Sequence, residues 1–302
     1  MALYSIRELE HLSGIKAHTI RMWEQRYVIL CPERTCTNVR TYTDCDLKAL
    51  LNISLLNEHG VKISQIARMS ATQIAEQVMS LATTTPECSA QIGCLVLAMV
   101  ELDEDRFNKV FSTAVLQIGL ENTMIKVIFP FLERIGILWL TGNINPAQEH
   151  FVSMLIRQKL IVAVDGQQVP NSGDVLRYLL YLPEGELHEV SLIFQSYLIR
   201  ANGAHAMYLG QNLPYADLKS AARIYKPHYI STVLTTRPER ENLQAYLNRL
   251  SEDFPDTRIY VSGFLLRDSE VDLPPNLMQC PDIGAFAASL EQNARQFKKA
   301  AQ

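Results

Sequence analysis

The heptad Pro183-Glu184-Gly185-Glu186-Leu187-His188-Glu189 sets one imidazole among three carboxylates, where an apolar run (175–182) gives way to an amphipathic one (190–199). A ring nitrogen there can meet a ligand, because open α/β sheets bind their ligands outside the carboxyl ends of the strands. A loop histidine by itself is ordinary solvated surface; this one has company. Upstream, Trp139 precedes the pair Glu149-His150, with nine residues between tryptophan and glutamate. Cys31, Cys36 and Cys45 supply thiols, but no Cys-x-x-Cys pair or nearby histidine completes a metal set, so they read as incidental. No nucleophile with an adjacent base and no phosphate-cradling loop appears. Catalysis has no candidate, and the chain reads as a non-enzyme.

The elements that must position His188 alternate strand and helix from about residue 174. Strands are expected at 175–182, 206–209, 229–234 and 258–264, with a short edge at 278–280. Helices are expected at 190–202, 214–225, from Pro238 to 253, and from 283 onward. Such alternation implies a parallel sheet wrapped by helices. Upstream, four helical segments (88–101, 103–118, 121–141 with a bend at Pro130, and 146–165) are separated by Gly119, Gly142-Asn143 and Asn145-Pro146. Short loops between antiparallel helices make a four-helix bundle. Trp139 then ends its third helix and Glu149-His150 sits on the first turns of its fourth, facing one cavity.

At the amino terminus, Ser5-Ile6-Arg7-Glu8 is a capping box that opens a short helix, and Ser13-Gly14 stops it. A second helix from Ala17 to about Gln25 turns Ile20 and Trp23 inward. Two short helices about a tight glycine turn make a helix-turn-helix. The second offers His18, Thr19 and Arg21 to a DNA major groove. The polar stretch from Arg26 to Tyr42, with Tyr27, Arg34 and Arg40, reads as a wing along the phosphate backbone. Thr43-Asp44-Cys45-Asp46 caps the next helix.

Bulk properties agree with a small DNA-binding head on a large body. The 302 residues are 48% apolar and 20% charged, with a net charge of −4. Residues 1–70 nevertheless hold nine Lys/Arg against seven Asp/Glu, a local basic excess. No apolar run reaches the roughly 18 residues that span a bilayer, and the start lacks the basic head and apolar stretch of a signal peptide. Unpaired cysteines point to a reducing compartment. The expectation is a cytoplasmic protein without a membrane partner. The expected fold is multi-domain α and α/β, with a winged helix-turn-helix at 1–72, a four-helix bundle at 86–166 and a parallel sheet wrapped by helices at 174–302.

Tyr4-Ser5-Ile6-Arg7-Glu8-Leu9, Ser13-Gly14-Ile15, Thr19-Ile20-Arg21-Met22-Trp23-Glu24 and Arg40-Thr41-Tyr42 with Asp46-Leu47 together resemble the winged head of the MerR family of transcriptional regulators. Trp23-Glu24-Gln25-Arg26-Tyr27 is similar to its CarA/CarH/LitR subgroup. Trp139, nine residues and Glu149-His150 resemble the cobalamin-capping bundle of those sensors. The segment 174–302 resembles the cobalamin-binding flavodoxin-like domain, whose acidic-x-His-x-x-Gly pattern appears as Glu186-Leu187-His188-Glu189-Val190-Ser191. The resemblance implies a cobalamin, as adenosylcobalamin or methylcobalamin, with His188 as axial ligand on cobalt and Glu186 holding its other nitrogen. It also implies that Trp139, Glu149, His150, Glu189, Thr235, Ser262 and Gly263 line the cofactor.

Three departures fall on the pocket for the cofactor's nucleotide tail. Ser191 replaces the closing glycine, Val233-Leu234-Thr235 stands for the family's serine motif, and Ser262-Gly263 stands for a glycine pair. Leu140 stands where light-sensing members carry a second histidine. The implied function is a DNA-binding regulator in which cobalamin changes oligomerisation and operator binding. Its partners are double-stranded promoter DNA and further copies of the chain, as homodimer or homotetramer. Two alternatives stay open: a regulator whose cofactor-free, degenerate sensor domain serves dimerisation or protein partners, and a corrinoid carrier subunit of a methyltransferase.

Overall fold

The computed structural model describes residues 3–35, 38–84, 88–140, 145–168, 175–267 and 269–300. They fall into two compact units, 1–152 and 153–302. The division lies within one helix rather than in the polar stretch 166–174.

The first unit opens with β1 (Leu3–Tyr4), α1 (Ile6–Ser13) and α2 (Ala17–Tyr27), followed by β2 (Glu33–Arg34), β3 (Arg40–Thr43) and α3 (Asp44–Glu58). The Ser5 capping box forms, with the Glu8 amide donating to Ser5 Oγ at 3.3 Å and the Ser5 amide donating to the Glu8 carboxylate. Gly14 ends α1 at φ +73°, a backbone state that glycine adopts without penalty. Leu9, Leu12, Ile20, Trp23, Tyr42, Leu47 and Leu50 are buried and form the core of this head. Strands β2 and β3 pair as a hairpin, with β1 on the other side of β3. Thr43 caps α3 through Asp46.

Beyond α4 (Ile63–Ile66) and α5 (Ala71–Thr84) come α6 (Cys88–Glu101), α7 (Glu104–Thr123), α8 (Phe129–Leu140) and α9 (Pro146–Asp165). Gly119 breaks α7 as expected, at φ +78° and ψ 161°. The bend expected at Pro130 takes the form of a π-turn over Met124–Ile128 just ahead of it; proline carries no N–H to continue the helical ladder. One helical stretch among the described residues, 104–136, is long and apolar enough to cross a membrane by length and composition, with a mean hydropathy of 1.3. Counting consecutive apolar residues missed it, because Glu121, Lys126, Glu133 and Arg134 punctuate the run.

The second unit holds the sheet. Its strands are β4 (Arg177–Tyr181), β5 (His205–Tyr208), β6 (Tyr229–Val233), β7 (Arg258–Ser262) and β8 (Leu277–Gln279). All pair parallel, in the order β5-β4-β6-β7-β8. The crossovers are α10 (Val190–Ala201), α11 (Tyr215–Tyr225), α12 (Leu243–Asp253) and the short α13 (Phe264–Arg267), and α14 (Ile283–Ala300) closes the chain. On one face Leu179, Ile230, Ile259 and Val261 pack against Leu218 of α11 and Leu243, Leu247 and Leu250 of α12. On the other, Tyr178, Tyr229 and Tyr260 stack across three strands. There Asn293 of α14 donates to the hydroxyls of Tyr178 and Tyr260 at 2.9 and 2.8 Å.

Two expected boundaries move. The helix expected from Pro238 begins at Leu243, after a 3-10 turn at Arg240–Asn242. The strand expected to reach Phe264 stops at Ser262, where Gly263 turns the chain at φ +114°.

Candidate functional site

The order β5-β4-β6 reverses direction between β4 and β6, so the loops leaving those strands flank a switch point, where sheets of this kind open a crevice. The first loop is tightly built. Leu182 and Leu213 exchange support through an amide-to-carbonyl bond of 3.0 Å, Gly185 turns at φ +81°, and its amide donates to Asn212 Oδ1 at 2.8 Å. This geometry places Glu186 beneath the loop and His188 on top of it.

Glu186 is fully buried and takes seven hydrogen bonds. Its Oε1 accepts from the amides of Leu187 and His188 at 3.0 and 3.1 Å and from His188 Nδ1 at 2.5 Å. Its Oε2 accepts from the amides of Thr235, Thr236 and Arg237 at 3.0, 2.6 and 3.0 Å, and from Thr236 Oγ1 at 3.2 Å. Burial by itself would raise the carboxyl pKa. The His188 ring and the converging amides overcome it and hold the group at about 2. An ionised carboxylate can only accept, so His188 donates from Nδ1, and in the neutral ring that leaves the lone pair on Nε2. The His188 side chain is 57% exposed. That is the tautomer in which a carboxylate-backed imidazole ligates a metal.

Glu189, next in the loop, is buried and paired with Arg157 of α9. The Tyr208 hydroxyl donates to its other oxygen at 2.5 Å. Burial and this carboxylate push the Tyr208 phenol well above its ordinary range. Thr235, Ser262 and Gly263 are half-buried at the ends of β6 and β7, and Ser191 is half-buried in the first turn of α10. A Cβ at Gly263 would lie 2.3 Å from the Leu234 carbonyl oxygen, so close approach of two strand ends dictates glycine there.

Of the residues expected from the bundle, Glu149 and His150 lie on the first turns of α9 with His150 Nδ1 2.9 Å from Glu149 Oε2 and His150 exposed. The side chains of Trp139 and Leu140 lie outside the described residues, as does Cys36. Cys31 and Cys45 are exposed.

In the head, His18, Arg21, Arg26 and Arg34 are exposed and Thr19 and Tyr27 half-buried. The Arg26 guanidinium lies 5.4 Å from the Tyr27 ring centre. Tyr42 requires a correction: it is fully buried, and its hydroxyl donates to Glu24 Oε2 at 3.2 Å. It supports the wing from inside instead of touching a phosphate. Arg40 is half-buried and bound to the other Glu24 oxygen at 3.0 Å. Glu24 was legible only as part of a motif; its role as the wing's anchor shows in the geometry. Arg157 and the amides of residues 236 and 237 carried no sequence signal.

Residues 4–73 match the model of the MerR HTH family regulatory proteins, and residues 94–163 match that of the B12 binding domain. The chain is similar to the HTH-type transcriptional repressor CarH of Myxococcus xanthus, with 29% identity over 261 residues, covering 84% of this chain and 82% of that one. It is also similar to the repressor CarA of the same organism, with 27% identity over 229 residues, covering 75% and 74%. Among solved structures, the Methanosarcina barkeri monomethylamine corrinoid protein aligns at 12% identity and a TM-score of 0.37, covering 72% of this chain and 96% of that one.

Proposed function

We propose, from the matches of this chain to the MerR HTH and B12 binding domain models and from its similarity to the repressors CarH and CarA, that it is a CarA/CarH-type DNA-binding regulator that senses cobalamin through His188. The observation that carries the reading is the Glu186–His188 pair at the switch point. A buried carboxylate, held ionised, fixes the imidazole in the tautomer a metal needs. The residues present therefore fit the group: cobalamin, when bound, supplies a cobalt ion that one neutral nitrogen can occupy.

In this reading the division is a winged head at 1–72, a four-helix capping bundle at 86–166 and a flavodoxin-like domain at 174–302. Glu186 orients the ring, Glu189 holds the loop beside it, and Thr235, Ser262 and Gly263 border the cofactor's tail. The family resemblance would give Trp139, Glu149 and His150 a share in holding the same cofactor. His18, Thr19, Arg21, Arg26, Tyr27, Arg34 and Arg40 contact promoter DNA, the exposed arginines taking phosphates or base edges. Two half-sites require two heads, so the chain works as a homodimer or larger assembly. Cobalamin changes operator binding by favouring one assembly state over another.

A second reading, a cofactor-free sensor domain that serves dimerisation or protein partners, is favoured by Ser191, whose side chain occupies the first turn of α10 where the family pattern has none. One experiment separates them. The purified chain is mixed with adenosylcobalamin in the dark and desalted, and its absorption spectrum is recorded. Colour retained by wild type and lost in His188→Ala supports sensing. Colourless wild type, tested also with hydroxocobalamin and methylcobalamin, leaves the cofactor-free reading.

A further inference from the structure

Helix α8 reaches back across 122 positions of sequence to the turn between α1 and α2. Arg134 Nη2 donates to the main-chain carbonyl of Leu12 at 2.9 Å. Leu12 lies in the last turn of α1, where the final carbonyls have no partner within the helix. Neighbours complete the cap: Ser54 Oγ of α3 donates to the Ser13 carbonyl at 2.7 Å, and the Gly14 amide donates to the Glu10 carbonyl at 2.9 Å. Beyond the cap the Ile15 amide donates to Ser13 Oγ and the Ala17 amide to Glu10 Oε2, each at 3.2 Å, and α2 begins. Of the groups in this cap, Arg134 alone comes from outside the segment 4–73 that matches the MerR head.

Other contacts within the same compact unit seat the head. Lys48 of α3 and Arg106 of α7 pair with the two oxygens of Glu101 on α6, each at 2.7 Å. Gly93 of α6 admits Leu55 of α3 so closely that a Cβ would meet Leu55 Cδ1 at 2.7 Å. A guanidinium is well suited to the end of α1, because the helix dipole places negative partial charge there.

We propose that Arg134 is a positioning residue for DNA reading: its bond to Leu12 sets the entry of α2, so the recognition helix takes its orientation from α8 as well as from its own head. Leu12 is buried, and Arg134 acts through it without touching DNA. The inference rests on the DNA-binding reading above. It makes the head a part mounted on the helical body, and it gives α8 a direct mechanical hold on the reading surface.

The experiment uses the full chain as wild type, Arg134→Ala and Arg134→Lys, the last retaining charge and a donor. Hydrogen exchange is measured at the Ile15 and Ala17 amides. Affinity is measured for a duplex selected on wild type from a random pool and for an unrelated duplex of equal length, across a salt series. Arg134→Ala should speed exchange at the turn and weaken the selected duplex by about tenfold, the lower end of what one lost charge-assisted hydrogen bond costs. The unrelated duplex and the salt slope should stay unchanged, since no phosphate contact is lost. Arg134→Lys should recover most of both effects.

Unchanged exchange at the turn overturns the proposal, as does an unchanged preference between duplexes. Equal weakening on both duplexes with a shallower salt slope also overturns it, by making Arg134 a phosphate contact. Should Arg134→Ala lose its circular dichroism, Arg134→Gln, which keeps a neutral donor, replaces it on the same readouts. Wild type that binds neither duplex sinks the DNA-binding reading, whereas the exchange measurement still decides whether Arg134 holds the turn.

Discussion

Replacing Glu186 by glutamine exchanges a buried anion for a neutral amide whose own N–H groups face donors on several sides. The wild-type carboxyl is held at about 2 against an ordinary 4.5, a depression equivalent to about 3 kcal/mol of folded-state stabilisation. The folded pKa lies below the unfolded one, so this contribution is complete above about pH 4.5 and is lost as pH falls toward 2. Wild type should therefore exceed Glu186→Gln by at least about 3 kcal/mol at pH 7, and the gap should narrow by roughly half at pH 3. Denaturant unfolding at pH 7, 5 and 3 measures it. Tyrosine absorbance is the useful probe, because Tyr178, Tyr181, Tyr229 and Tyr260 lie in the second unit and both tryptophans, Trp23 and Trp139, in the first. A gap of equal size at pH 7 and pH 3 would refute the claim that the site holds Glu186 ionised.

Further perturbations separate support from contact. Tyr42→Phe should cost about 1 kcal/mol in thermal unfolding through the lost bond to Glu24 and leave the salt slope of DNA binding untouched. Arg21→Ala should reduce that slope by about one while leaving stability in place. Gly263→Ala forces a Cβ to 2.3 Å from the Leu234 carbonyl at φ +114° and should cost more than about 3 kcal/mol, read as lost soluble yield and a lowered Tm. Glu189→Gln removes the anion shared by Arg157 and Tyr208; spectrophotometric titration should show the Tyr208 phenol ionising at lower pH than in wild type.

Much of this architecture was readable in the residues because its determinants are local. The capping boxes at Ser5 and Thr43, the break at Gly119 and the alternation of apolar strands with amphipathic helices act within a few positions of themselves. The pairing of Glu186 with His188 was likewise foreseeable, since two residues of a loop separate them very little. What escaped was long-range. The amides of residues 235–237 meet Glu186 across about 50 positions, and no side-chain type advertises an amide. Arg157 and Arg134 look in the sequence like solvated positions on helical faces, and only packing gives each its partner. Tyr42 was misplaced for a related reason: an aromatic in a basic wing reads as a contact, whereas the half-buried Glu24 carboxylate claims its hydroxyl.

The carboxylate under the loop also decides what kind of molecule this sheet edge can attract. Three consecutive backbone amides, Thr235 to Arg237, pointing at one place form a concavity that ordinarily captures anions. Here the captive is Glu186, tethered by the chain itself and so present at an effective concentration that a free anion cannot match. Phosphates and nucleotide diphosphates, the usual visitors to the switch point of such sheets, meet a seat already taken. The loop that carries this internal anion presents an electron pair on an imidazole instead. In the proposed reading, selectivity at this edge begins with exclusion: a free anion finds the amides of Thr235 to Arg237 already engaged, and a ligand that accepts electrons finds an imidazole.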